Sequence, residues 1–110
     1  MRYALAYRQP CPMAVKAVEV PQGDPVVPGG YQFLVREDRR VGVVHWCPCG
    51  CGRKTAIRFR GSGLGGDEWD VRGEWPNVTL SPSVGIGRGQ GPNGGYHWHG
   101  FLENGYWNER

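Results

Sequence analysis

The spacing of hydrophobic and polar residues along the chain predicts strands rather than helices. In residues 55–60, the apolar Ile57 and Phe59 alternate with arginines, which is the period of a strand with one buried face. After Gln22, no stretch of ten residues offers a clean helical face. Residues 14–20 lie between two prolines and fit a short helix or a strand equally well. The pattern therefore favours a protein built of short strands.

Turn signals divide the rest of the chain into further strands. Asn104-Gly105 is the strongest two-residue hairpin signal, and a type I′ turn there requires positive φ at both residues. The 19 glycines and 9 prolines supply many more turns, with glycine-rich loops at 61–66 and 85–95. We expect a mostly β fold in a single domain spanning residues 1–110, with short antiparallel strands. The remaining apolar runs predict strands at 31–35, 41–46, 78–80, 96–102 and 106–107.

Length and charge narrow the functional classes. A chain of 110 residues with 39% hydrophobic residues forms one modest core, which a structural metal would reinforce. The net charge of +3 is a mild bias, and no basic run exceeds Arg39-Arg40, so nucleic-acid binding is not favoured. No window approaches the roughly 20 apolar residues of a membrane span. The N-terminal segment lacks the apolar region of a secretory signal, and we expect a cytoplasmic protein.

Three cysteines alternate with glycine or proline in the segment Cys47-Pro48-Cys49-Gly50-Cys51-Gly52. A disulfide between residues i and i+2 closes a very small, strained ring. Three thiolates can instead converge on one Zn²⁺ without strain, provided that a fourth ligand comes from elsewhere. A disulfide scaffold, or three small buried residues at a turn, are the alternatives. The spacing predicts a structural zinc site.

The fourth ligand has four candidates. His97 or His99 would join two segments that are far apart in sequence, and such cross-links stabilise most when they close long loops. His45, two residues before Cys47, can also be a strand-end histidine with a satisfied ring. Cys11 is a weaker candidate. The distal histidines are therefore preferred.

A serine peptidase site is a second possibility in the C-terminal half. Ser81 and Ser83 flank Pro82, a glycine-rich stretch follows, and His97 and His99 come next. A serine nucleophile needs a base and main-chain donors for the oxyanion, and these residue types provide both. The alternative is that the two serines make turn hydrogen bonds around the proline. Spacing alone does not decide between these interpretations.

The motifs also resemble those of a bacterial and phage family. The blocks are CPCGCG at 47–52, LSPSV at 80–84 and HGFLENG at 99–105, in the order and spacing of that family across about residues 40–107. Its members often occur in operons with ubiquitin-like proteins and their E1- and E2-like enzymes. The resemblance implies a zinc-supported serine peptidase that acts on a ubiquitin-like protein, and a role in phage defence. It places the nucleophile at Ser83 and the base at His99.

One position departs from the family pattern. The family usually carries a cysteine three residues before that histidine, where this chain has Tyr96. The adjacent His97 can replace such a ligand, which would leave His97 on zinc and His99 as the base, although the two roles could be exchanged. A third catalytic residue is not evident. Its candidates are the acidic residues Asp67, Glu68, Asp70 and Glu103.

Two other functions compete with the peptidase. One is a zinc-knuckle adaptor that binds a ubiquitin-like protein or an E2-like partner without chemistry, with tryptophans in the interface, although the core is the commoner place for tryptophan. The other is a nucleic-acid-binding zinc protein, supported only by the cations near the cysteines. The adaptor would use Trp69, Trp75, Trp98 and Trp107, and the nucleic-acid protein Arg53, Lys54, Arg58 and Arg60.

Overall fold

A computed structural model describes residues 14–21 and 27–110 of the chain. The N-terminal segment and Cys11 lie outside these residues. The described part is almost entirely β. Its strands are β1 (Val15–Lys16), β2 (Val18–Glu19), β3 (Gly30–Arg36), β4 (Arg39–Trp46), β5 (Lys54–Arg58), β6 (Asp70–Arg72), β7 (Thr79–Ser81), β8 (Val84–Ile86), β9 (Trp98–Glu103) and β10 (Tyr106–Glu109), and one 3-10 turn covers Pro92–Gly94.

The strands form two four-stranded sheets and one two-stranded ribbon. The first sheet has the order β1-β10-β9-β8, the second has the order β2-β3-β4-β5, and β6 pairs with β7. All these pairings are antiparallel except that of β2 with β3, which is parallel. In the first sheet, β8 therefore occupies an edge and β9 lies between β8 and β10.

One hydrophobic cluster joins the two sheets and the ribbon. Trp98 and Trp107 of the first sheet meet edge to face, and both are almost fully buried. Ile57 of the second sheet and Leu80 of the ribbon complete the centre of this cluster. The Trp107 indole N–H donates to the Gly29 carbonyl at 3.0 Å, so one tryptophan of the pair keeps its polar atom satisfied. The cluster fixes the position of β9, which carries the candidate site.

The structure confirms the hairpin and the strand alternation. Asn104 and Gly105 have φ values of 48° and 83°, and they join β9 to β10. Ile57 is buried, and Phe59 packs against the core. Residues 14–20, which fitted a helix or a strand, form the two short strands β1 and β2.

Two expectations are corrected. The predicted loop at 85–95 begins with β8, because Gly85 and Ile86 pair with β9 despite the high glycine content. Trp98 and Trp107 are not available for an adaptor interface, because they lie in the core with 1% and 2% of their surface exposed. The ribbon strand β6 was also not predicted, since its three residues carry no distinctive pattern. Among the described residues, no helix is long and apolar enough to span a membrane.

Candidate functional site

A tight loop after β4 gathers the three cysteines. The Gly50 N–H donates to the Cys47 carbonyl at 3.1 Å, and the Cys47 N–H donates to the Arg53 carbonyl at 2.8 Å. Gly50 and Gly52 both adopt φ of 89°, which glycine accepts at little cost. Gly50, between Cys49 and Cys51, and Gly52, after Cys51, therefore allow the chain reversal that turns the three thiols toward one point.

His97 completes a four-donor cluster with these cysteines. The ligand atoms of Cys47, Cys49, Cys51 and His97 all lie within 4.8 Å of one another. The Cys49 sulfur lies 3.2 Å from the Cys47 sulfur and 3.4 Å from His97 Nε2. A tetrahedral zinc centre with Zn–S bonds of about 2.3 Å places neighbouring sulfurs roughly 3.8 Å apart. The donor set and its dimensions therefore fit a metal ion, and the three cysteines are free thiols rather than disulfides.

The thiols differ in how readily they ionise. Burial raises the pKa of the Cys47 thiol and, to a smaller degree, that of Cys49. Burial also acts on Cys51, but hydrogen bonds from Arg53 and from the other thiols outweigh it, and the pKa of the Cys51 thiol is lowered. A cation that replaced the thiol protons would remove the cost of burying charge at Cys47.

His45 is not part of this cluster. Its ring is fully buried and stacks on Trp107 with centroids 4.2 Å apart. Neither ring nitrogen has a hydrogen-bond partner within residues 14–21 and 27–110, so the alternative of a satisfied ring is not met in this part of the chain. Burial lowers the pKa of His45 to about 3, and the side chain behaves as a neutral aromatic residue of the core.

The second histidine of the strand, His99, contacts Ser83. His99 Nε2 lies 2.9 Å from Ser83 Oγ, and His99 Nδ1 lies 3.1 Å from the main-chain oxygen of Arg110. A carbonyl oxygen only accepts hydrogen bonds, so Nδ1 carries the hydrogen and Nε2 is left with its lone pair toward the serine hydroxyl. This is the tautomer that a general base requires.

The strand register explains how the two side chains meet. Gly85 of β8 lies directly opposite His99 of β9, and Ser83 precedes Gly85 by two residues on the same side of the sheet. Gly85 has no side chain, which leaves room for the neighbouring rings. A Cβ at Gly85 would lie 2.5 Å from Cε1 of Tyr96. The absence of a side chain at Gly85 thus lets the Tyr96 ring lie close to β8.

None of the four acidic candidates forms a hydrogen bond with His99 in the described part of the chain. Asp70 pairs with Arg60, Glu68 accepts from Gly61 and Ser62, and Glu103 accepts from Arg110 and Asn108. Asp67 lines the same cleft without a bond to the imidazole. His99 Nδ1 instead contacts the main-chain oxygen of Arg110, a partner that no residue-type pattern could reveal.

Two aromatic side chains, which sequence reasoning did not assign to the site, support the pair. The Trp69 indole N–H donates to the Ser83 carbonyl at 3.1 Å. The Tyr96 ring stacks on the His99 ring at a centroid distance of 5.7 Å and an angle of 20°. The cleft at Ser83 has a volume of about 320 Å³, and its lining residues are Asp67, Glu68, Trp69, Pro82, Ser83, Gly85, Tyr96 and His99.

Comparison with known proteins agrees with this geometry. A family model described as "Bacterial ubiquitination-like system serine protease (BubE)" matches residues 19–109. The chain belongs to the BubE family. The family's name implies a serine protease of a bacterial ubiquitination-like system, the class that the sequence resemblance also implied. No curated protein and no solved structure shows significant similarity to the chain.

Within this BubE chain, the two histidines flanking Trp98 contact different groups. His97 is buried against the thiols, whereas His99 reaches the serine in the open cleft. Tyr96, which stands where a cysteine was expected, contacts His99. The division of roles that the sequence predicts for these two histidines is taken up below.

Proposed function

We propose that this chain is a serine peptidase that cleaves after the Gly-Gly tail of a ubiquitin-like protein, either to process its precursor or to release it from a conjugate. Ser83 is the nucleophile and His99 the base. The observation that carries the proposal is the 2.9 Å contact between Ser83 Oγ and His99 Nε2, in a cleft open to a substrate. Membership of a family of ubiquitination-like serine proteases supports the substrate class.

The reaction follows from the tautomer of His99. Ser83 Oγ attacks the scissile carbonyl carbon while its proton moves to His99 Nε2. The C–N bond then breaks, the leaving amine takes that proton, and an acyl-serine ester remains. A water molecule, deprotonated by Nε2, attacks the ester and releases the free carboxyl terminus and Ser83. The hydrogen bond from His99 Nδ1 to the main-chain oxygen of Arg110 stabilises the imidazolium in both steps.

We propose zinc at Cys47, Cys49, Cys51 and His97, in a structural role. Three thiolates and an imidazole fill a tetrahedral centre and leave no position for water. Bound zinc supplies a cross-link between the loop after β4 and the segment entering β9. The His97 N–H also donates to the Gly87 carbonyl at 3.0 Å, and this hydrogen bond holds the start of β9 near the end of β8.

The deciding experiment follows cleavage by mass. Wild-type protein and Ser83→Ala are each mixed with a ubiquitin-like precursor from a bacterial ubiquitination-like operon, with its E1- and E2-like enzymes absent. Ser81→Ala is the matched control, because Ser81 lies two residues away in β7 and does not line the cleft. We expect Ser83→Ala alone to lose cleavage and labelling by a fluorophosphonate probe. Cleavage by Ser83→Ala at the wild-type rate would refute the catalytic role and leave a zinc-knuckle adaptor as the interpretation.

A further inference from the structure

The edge strand of the first sheet lies beside the candidate nucleophile. β8 pairs with β9 on one side, and no other described strand pairs with it on the other side. Ser83 immediately precedes β8, and Gly85 within β8 lines the cleft together with Ser83 and His99. An unpaired strand edge offers main-chain N–H and C=O groups to any extended segment that reaches it.

The hydrogen-bond pattern of β9 shows which groups of β8 point outward. The Arg110 N–H donates to the His99 carbonyl, so the polar main-chain atoms of His99 point toward β10 and away from β8. In an antiparallel pair, residues alternate between mutually bonded and non-bonded partners. The pair of Gly85 and His99 is therefore the non-bonded kind, and both polar main-chain atoms of Gly85 point to the open edge.

The main-chain carbonyls two residues before and two residues after Gly85 are already used. The Ser83 carbonyl accepts from Trp69 Nε1, and the Gly87 carbonyl accepts from the N–H groups of Gln90 and His97. Within residues 14–21 and 27–110, no hydrogen bond to the N–H or the carbonyl of Gly85 is formed outside the β8–β9 pair. Gly85 thus presents its main-chain N–H as a donor and its carbonyl as an acceptor at the open edge of β8. It lies two residues from the proposed nucleophile, Ser83.

We propose that Gly85 is the main-chain anchor for the substrate, which binds in extended form as an added strand on the β8 edge. This inference rests on the proposed peptidase function and specifies how the tail is held. One substrate residue donates its N–H to the Gly85 carbonyl and accepts the Gly85 N–H at its own carbonyl. Recognition through main-chain atoms suits a tail of two glycines, which has no side chains for a pocket to grip.

The geometry makes a specific demand on the substrate. Because Gly85 is the single outward residue of the three in β8, we expect only one substrate residue to form a paired set of hydrogen bonds here. Removing the N–H of that residue should weaken binding, whereas removing the N–H of either neighbour should not. A change at Gly85 itself is a poor test, because a Cβ would collide with the Tyr96 ring.

The experiment uses full-length Ser83→Ala and a short fluorescein-labelled peptide that spans the Gly-Gly junction of the ubiquitin-like precursor. Single N-methyl groups are placed at successive peptide residues, and each Kd is measured by fluorescence anisotropy. We expect a loss of about tenfold or more at one position, the size of one to two hydrogen bonds, and near-unchanged binding at its neighbours. Equal losses at consecutive positions, or none at any position, would overturn the proposal.

Amide exchange gives a second readout from the protein side. Saturating peptide should slow hydrogen exchange at the Gly85 amide of Ser83→Ala. The amide of Ile86, which pairs with Trp98 within the sheet, is the matched control and should change little. An unchanged Gly85 amide at saturation would contradict the added strand. The two proposals fail separately: binding with one sensitive position but no wild-type cleavage refutes the peptidase, and cleavage without that pattern refutes the anchor.

Discussion

Two histidines, separated by one tryptophan, lie in opposite chemical environments. His97 has 7% of its surface exposed and faces three thiol sulfurs, which together with its ring could hold a metal ion. His99 lies half-buried in a cleft, with a hydroxyl on one nitrogen and a carbonyl on the other. On the proposed roles, one residue of sequence separates a static ligand, His97, from a base, His99, that must gain and lose a proton. The two environments differ because the cysteine loop after β4 faces His97, whereas Ser83, just before β8, faces His99.

The largest expected effect is on the cleavage rate, when His99 and His97 are each replaced by alanine and the two variants are compared. His99→Ala should reduce kcat by several orders of magnitude while metal content stays at the wild-type level, because the base is lost but the thiol site is intact. His97→Ala is the matched variant and should lower metal content first. The measurements are cleavage by mass and elemental analysis of the same preparations. Metal loss in His99→Ala would show that the two environments are not separate.

A second test disrupts only the cluster of three cysteines and His97. Cys49→Ser should release the metal and unfold the domain, because Cys49 contacts both Cys47 and His97 and metal binding is coupled to folding in small sites. Elemental analysis and circular dichroism measure the two losses. Wild-type protein that is purified without chelator, folded and free of metal would contradict the proposed zinc.

A third test uses His45, a histidine that serves neither site. In the folded protein its pKa is about 3 because of burial, against about 6.5 when unfolded. Between these two values the unfolded state binds the proton and the folded state does not, so stability falls as pH falls, by at most about 1.4 kcal/mol per pH unit. Above pH 6.5 His45 has no such effect.

The measurement is the free energy of unfolding in urea between pH 7 and pH 5. His45→Phe keeps an aromatic ring on Trp107 and should show a shallower loss of stability than wild type over this range. Metal content is determined at each pH, so that ligand protonation is not mistaken for the His45 effect. Parallel pH profiles for the two proteins would show that His45 does not carry this dependence.

The smallest expected effect concerns Trp69, which donates a hydrogen bond to the main chain of the proposed nucleophile, Ser83. Trp69→Phe removes the N–H that holds the Ser83 carbonyl and should lower kcat by about tenfold, the size of one buried hydrogen bond. Trp75→Phe is the control, since Trp75 also packs against the core but does not line the cleft. Equal kcat values for these two variants would remove the positioning role of Trp69.

The sequence predicted the parts of the fold that depend on local chemistry. Alternation located β5, and Asn104-Gly105 located the hairpin, because both follow from short-range backbone preferences. β8 was read as loop, since its pairing is set by β9 and by the core rather than by its own residues. Tertiary context overrode the low strand preference of Gly85.

The candidate site likewise contains residues that the sequence predicted and residues that it did not. Cysteine spacing was enough to propose the thiol cluster, and the loop argument favoured a distal histidine, His97 or His99. The choice of His97 came from the family pattern, in which Tyr96 stands where a cysteine is usual. The pairing of Ser83 with His99 came from the family motifs, since spacing alone left it open. Trp69 and Tyr96 were not foreseen, because their roles arise from contacts between segments distant in sequence. Only coordinates could reveal these supports.

The carbonyl that orients His99 has a consequence for mutational scanning. The group belongs to the main chain of Arg110, and every amino acid carries the same one. Replacing the side chain at position 110 therefore leaves the acceptor in place. If Ser83 and His99 act as proposed, a scan of all single substitutions would detect both side chains but would record nothing for the main-chain oxygen that holds His99 in this tautomer.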